Sequence, residues 1–254
     1  MGLWTETHFW AIVPALIIFA GVAALLGFLL KDKEKAKTWI LRGVAIFLII
    51  LEIAKQVTSL VKGYNLYHLP FHYCSMFLYL LPLHAFSFGK FKKYIDGVTF
   101  AATASLFLFY LIVPTIIYPE GAITSYFKDF FEFHTVTFHH AVVFYLFLAV
   151  AFRKFEIKLA RDFLISAIIL SAYVGIATIL AYTLDVNFQN LKKCNMALVD
   201  DIIRVPLTTA LGEFGGQAIW VTIMFFGTTL FSYVSYLAVY PFYKFALKGK
   251  AKIK

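Results

Sequence analysis

The chain has 254 residues, of which 61% are hydrophobic and 15% charged, whereas an average soluble domain carries about 25% charge. That apolar surplus excludes a soluble domain of this length and points to one helical bundle in a bilayer, spanning residues 1–254. The net charge of +9 does not mark a nucleic-acid-binding protein, because the basic residues lie in short clusters between apolar runs and build no continuous patch.

Apolar runs of about 20 residues, the length that crosses a bilayer as a helix, are predicted near residues 9–30, 38–57, 70–88, 94–117, 134–152, 163–184 and 215–240. None alternates apolar and polar residues as a membrane β-strand would. The expected fold class is therefore an all-α polytopic membrane protein of about seven transmembrane helices. The first run lacks a basic leader and is long enough to span, so no cleavable signal peptide is expected.

Basic residues orient the bundle. Lys31, Lys33, Lys35, Lys37 and Arg42 follow the first span, and Lys90, Lys92 and Lys93 follow the third. Arg153, Lys154, Lys158 and Arg161 follow the fifth, and Lys244, Lys248, Lys250, Lys252 and Lys254 form the tail. This side holds 17 of the 23 basic residues and five acidic ones, against six basic and nine acidic on the other. The N-terminus is expected outside and the C-terminus in the cytoplasm of a cell-membrane protein.

Ionisable groups within spans are costly and are functional candidates by default. Glu52 stands at the outer end of the second span, followed by Lys55 and Gln56. It reads either as an internal ion pair with Lys55 or as a carboxylate that orients a histidine or binds a headgroup. The third span opens on Leu69-Pro70-Phe71-His72-Tyr73-Cys74-Ser75. Pro70 suits the first turn of a helix, so His72 and Ser75, at i and i+3, share a face while Cys74 is turned about 200° away from His72, and a base for Cys74 comes from another helix. A packing cysteine and a disulfide with Cys194 are the alternatives. The fifth span opens with three histidines, His134, His139 and His140, among Thr135 and Thr137. His139 and His140 are about 100° apart, so one of the two faces the interior. His84, near the inner end of its span, is expected at the interface. A long outer segment over residues 185–214, bearing Asn187 and Asn190, is expected to lie along the interface or re-enter the bundle at residues 195–204; a second covers residues 118–133.

Glu52, His72, Cys74, His134, His140, Asn187, Asn190, Glu213 and Gln217 thus fall at the outer ends of helices or in outer loops. Polar groups at one depth, supplied by several helices, suggest a cavity open to the outer leaflet or to the outer aqueous side.

The run Glu52-Ile53-Ala54-Lys55-Gln56, the Leu69–Ser75 start, a fifth helix bearing His140 and the run Asn187-Phe188-Gln189-Asn190-Leu191 together resemble the YwaF-type family of bacterial membrane proteins. The resemblance covers roughly residues 40–195. Eukaryotic relatives of that family are described as membrane lipid acyltransferases, with a cysteine beside the third-helix histidine. Phe71 occupies that position here, and Cys74 lies three residues on.

Two functions follow as expectations. One is a lipid acyltransferase or lipid hydrolase, with His140 or His72 as base, Cys74, Ser75 or Thr137 as nucleophile and Glu52 orienting the base. The other is a binding or transport protein for a small polar solute or lipid headgroup, such as a transporter's substrate-binding subunit, with Glu52, His72, His140, Asn187 and Asn190 as contacts; Gln56, Ser75, His134 and Thr137 are further substrate-binding candidates. No haem motif, dinucleotide fingerprint or ATP-binding loop is present, so no cofactor is expected. A zinc hydrolase is a weaker reading, because the histidine spacing matches no zinc signature. The membrane lipid is the expected partner, and the sequence does not give an oligomeric state.

Overall fold

The computed structural model describes residues 4–195 and 199–248; the tail residues Lys250, Lys252 and Lys254 lie outside these. The described residues form helices and turns without strands. Among the described residues six helices are long and apolar enough to cross a membrane: α1 (Glu6–Leu29), α2 (Glu34–Val61), α4 (Gly89–Ile112), α7 (Phe130–Ala151), α8 (Leu159–Thr183) and α9 (Val205–Lys248). Between α2 and α4 lies a seventh, shorter helix, α3 (Phe77–Phe86), preceded by a 3-10 turn at Cys74–Met76. Short helices α5 (Pro114–Ile117) and α6 (Glu120–Thr124) fill the connection from α4 to α7. The chain is a multi-pass membrane protein.

Helix α4 is the centre of the bundle. Residues 95–106 are all buried, and they include Gly97, Ala101, Ala102, Ala104 and Ser105. Small residues let neighbouring backbones approach, and α4 packs against α3, α7, α8 and α9. At Gly97 a Cβ would collide with the Asp162 side chain of α8. Helix α1 sits at the periphery, in contact with α6 and α7.

The predicted third span, residues 70–88, is the main departure. The chain between α2 and Cys74 does not run as a helix. It turns at Gly63 (φ 81°), makes a 3-10 turn at Leu66–His68 and passes Pro70 before the helical path begins. The supposed helical face shared by His72 and Ser75 therefore does not exist, because residue 72 precedes the helix. Irregular backbone among membrane helices needs partners for its polar groups. Here side chains supply them. Gln56 donates to the His68 carbonyl (2.7 Å), Gln189 to Phe71 (3.1 Å), and Tyr173 to His72 (2.8 Å) and Pro70 (3.2 Å).

In the segment 185–214 the chain makes a 3-10 turn at Phe188–Asn190 and a π turn at Asp200–Arg204 that runs into α9. Gly212 (φ 75°) breaks α9. Residues 205–211 fold back so closely that a Cβ at Gly216 would fall on the Thr208 backbone.

Candidate functional site

Glu52 is the hub of a polar cluster at the lysine-poor end of the bundle. It is 5% exposed. Oε1 pairs with Lys55 Nζ (2.7 Å) and accepts from Gln56 Nε2 (2.7 Å), while Oε2 faces His134 Nε2 on α7 at 3.1 Å. The i, i+3 and i, i+4 spacings put Lys55 and Gln56 on the Glu52 face of α2. The 82-residue jump to His134 is a tertiary contact. A carboxylate only accepts, so His134 Nε2 carries the proton and Nδ1 presents a lone pair. This is the arrangement by which a carboxylate fixes an imidazole as a base.

Gln56 ties the non-helical segment to this pair, since its Oε1 accepts from the Tyr64 hydroxyl (2.6 Å) while its amide holds the His68 carbonyl. His68 Nδ1 shares a hydrogen bond with Ser59 (2.7 Å), and its ring stacks on Phe131 at 4.3 Å. His72 Nε2 donates to the Tyr67 carbonyl (2.9 Å), and its ring packs on Tyr67 at 4.3 Å. Burial pushes both imidazoles below their usual range, and the nearby Lys55 charge pushes the same way. Both therefore stay neutral at neutral pH, with His72 Nδ1 left as an acceptor.

Cys74 opens the helical path into α3. Ser75 is buried beside it, its backbone N–H donating to the His72 carbonyl (3.0 Å). Cys74 and Cys194 are not joined in a disulfide.

Other expected site residues lie elsewhere. His140 faces α1 and α4, not Glu52. Its Nδ1 donates to the Val136 carbonyl (2.8 Å), Nε2 lies 3.4 Å from the Ala11 carbonyl, and the ring stacks on Tyr118. His139 Nδ1 donates to the Thr135 carbonyl (2.6 Å). The Thr137 hydroxyl is bonded to Tyr126 (2.9 Å). Asn187 closes its own loop, accepting from the Lys192 and Lys193 backbones at 2.9 and 3.1 Å. Asn190 accepts from the Asn195 backbone (3.2 Å), and its carbonyl holds Trp220 Nε1 (2.9 Å). Gln217 caps the same loop by donating to the Leu191 carbonyl (2.7 Å). His84 is buried rather than interfacial. It bonds Tyr145 (2.6 Å), and its Nε2 stands 3.3 Å from Asp96 without hydrogen-bond alignment.

His68, Tyr64, Tyr173 and Gln189 belong to the cluster although no helical pattern singles them out. Their one sequence signal is a second histidine four residues before His72, across Pro70. The cluster is closed, its groups bonded largely to one another. Among the described residues no group of three or more His, Cys, Asp or Glu is placed to hold a metal ion.

A sequence model of one protein family, the TMEM164 family, matches residues 3–243. No curated protein matches the chain, and no solved structure does.

Proposed function

The chain belongs to the TMEM164 family, and we propose that its polar cluster is an acyl-transfer site for membrane lipids, working as a lipid acyltransferase or lipid hydrolase in the cell membrane. The observation that supports this reading is the Glu52–His134 pair standing with Lys55 and Gln56, whose amide holds the non-helical segment that leads to the 3-10 turn at Cys74. The resemblance to YwaF-type proteins and their acyltransferase relatives points the same way.

The step needs a nucleophile, a base and a positive charge for the oxyanion. In the proposed step the Cys74 thiol gives its proton to His134 Nδ1, the imidazole that Glu52 orients. The sulfur attacks the ester carbonyl, and Lys55 offsets the charge on the carbonyl oxygen. Collapse breaks the ester C–O bond, and the departing lysolipid alkoxide takes the proton back from the imidazolium. The thioester is then attacked by a lipid hydroxyl, which gives transfer, or by water, which gives hydrolysis; the imidazole takes that hydroxyl proton and returns it to the cysteine sulfur.

The test uses purified full-length protein in mixed micelles with a phospholipid carrying an isotopically labelled acyl chain. Label should appear on the protein as a thioester at Cys74 and then on acceptor lipid or as free fatty acid. Cys74→Ser should reduce turnover severely while leaving lipid binding and folding near normal. Full activity in both Cys74→Ala and Ser75→Ala would exclude the nucleophile at this helix start. Tight lipid or solute binding by a protein that never acquires the label would leave the binding or transport reading.

A further inference from the structure

A groove of about 380 Å³ lies between α1 and α7 at the lysine-rich end, remote from the Glu52 cluster. Ala20, Ala23, Ala24 and Gly27 form its α1 wall, and Phe147, Val150 and Ala151 its α7 wall. The helices meet at its floor, where a Cβ on Gly27 would stand 3.3 Å from the Ala151 carbonyl. Side chains this short leave room between two helices in the depth range of acyl tails. At its mouth the groove is lined by Lys31, Lys37 and Arg153.

The charge at that mouth selects the occupant. The α1–α2 turn brings Lys31, Lys33 and Lys35 to that mouth against Asp32. Glu34 is already committed, holding Lys37 (2.6 Å) and Lys154 (2.8 Å). A second copy of the chain docking on the α1 small residues would bring two cationic mouths together, and they would repel. A zwitterionic lipid would leave the excess charge unanswered. We infer that the α1–α7 groove is a binding site for one anionic glycerophospholipid of the cytoplasmic leaflet, its acyl chain against the Ala20–Gly27 wall and its phosphate at Lys31. Lys33 and Lys35 of the same turn add to the attraction, at about fivefold in affinity for each cation near an anionic headgroup.

The test is native mass spectrometry of the full-length protein, offered equal amounts of phosphatidylglycerol and phosphatidylcholine in detergent. One phosphatidylglycerol should be retained in preference to phosphatidylcholine. Lys31→Gln should lower that preference about fivefold; the Lys31 carbonyl that accepts from Lys37 survives this change. Ala24 is exposed to the groove side, so Ala24→Leu fills space without displacing the core and should reduce retention of both lipids. Lys90→Gln, on the same membrane face but outside the groove, should change nothing. Equal retention of the two lipids, an effect of Lys90→Gln as large as that of Lys31→Gln, or a dimer lost on Ala24→Leu would each overturn the proposal. Acyl-transfer activity does not enter any of these readouts, so the outcome is independent of the reading of the Glu52 cluster.

Discussion

Replacing Glu52 by glutamine keeps the side chain's shape and removes its charge. The change leaves Lys55, whose side chain is only 12% exposed, without its carboxylate, and leaves His134 without the acceptor that fixes its tautomer. Removing one partner of a buried ion pair costs about 3–5 kcal/mol. Lys55 stands two turns from the end of α2 and can lift its ammonium toward water, so the lower end of that range applies. At about 2–4 °C per kcal/mol for a chain of this size, Glu52→Gln should lower the thermal unfolding midpoint in detergent by about 6–12 °C. Adding Lys55→Met removes the stranded charge, and a buried pair replaced by apolar groups is often neutral or better. The double variant should therefore recover at least half of the loss. A double variant that melts at or below Glu52→Gln would refute the claim that these two charges are energetically coupled. A second cycle tests which histidine belongs to the cluster. Glu52→Gln and His134→Gln should be non-additive by about 0.5–3 kcal/mol, as residues in contact are. Glu52→Gln and His140→Gln should add to within about 0.5 kcal/mol, because His140 bonds to Val136 and faces Ala11 instead.

Tyr173→Phe removes the donor to the His72 and Pro70 carbonyls and should cost about 1–3 kcal/mol for polar groups left unmatched; faster labelling of Cys74 by a membrane-permeant maleimide would read the loosened segment, and an unchanged rate would refute it. Burial holds the folded-state His72 imidazole below its ordinary 6.5, so the unfolded chain binds more protons below that value. Stability from this group is fully present above pH 6.5 and is lost as pH falls through it toward the folded value, and His72→Gln should flatten the fall in melting temperature between about pH 7 and 5. In a background lacking native cysteines, reporter thiols at Lys35, Lys92 and Lys158 should be protected from an impermeant reagent in intact cells while one at Glu120 reacts; the reverse pattern would invert the orientation drawn from the lysines.

Hydropathy and charge are local properties, and with them the sequence alone determined that this is an all-α membrane protein, where six of its long helices run, and which ends are rich in lysine. The Glu52-Lys55-Gln56 face was legible for the same reason, since helical spacing brings these residues together without tertiary help. The third span was not, because a run of apolar residues beginning at Pro70 satisfies a composition rule whether or not its first turn is helical. Only the packed structure shows that Gln56, Tyr173 and Gln189 satisfy the backbone carbonyls that a helix would have used. The choice among His134, His139 and His140 was likewise open in the sequence. Each is one helical step of about 100° from a neighbouring face, and the rotation of α7 against α1, α2 and α4 turns His134 toward Glu52 and His140 toward Ala11 and Tyr110. Asn187 and Asn190 looked like ligand contacts because they are polar and outside the spans. The tertiary structure uses their side chains to close a loop with positive φ at Gln189 and Asn190, accepting from the Lys192, Lys193 and Asn195 backbones.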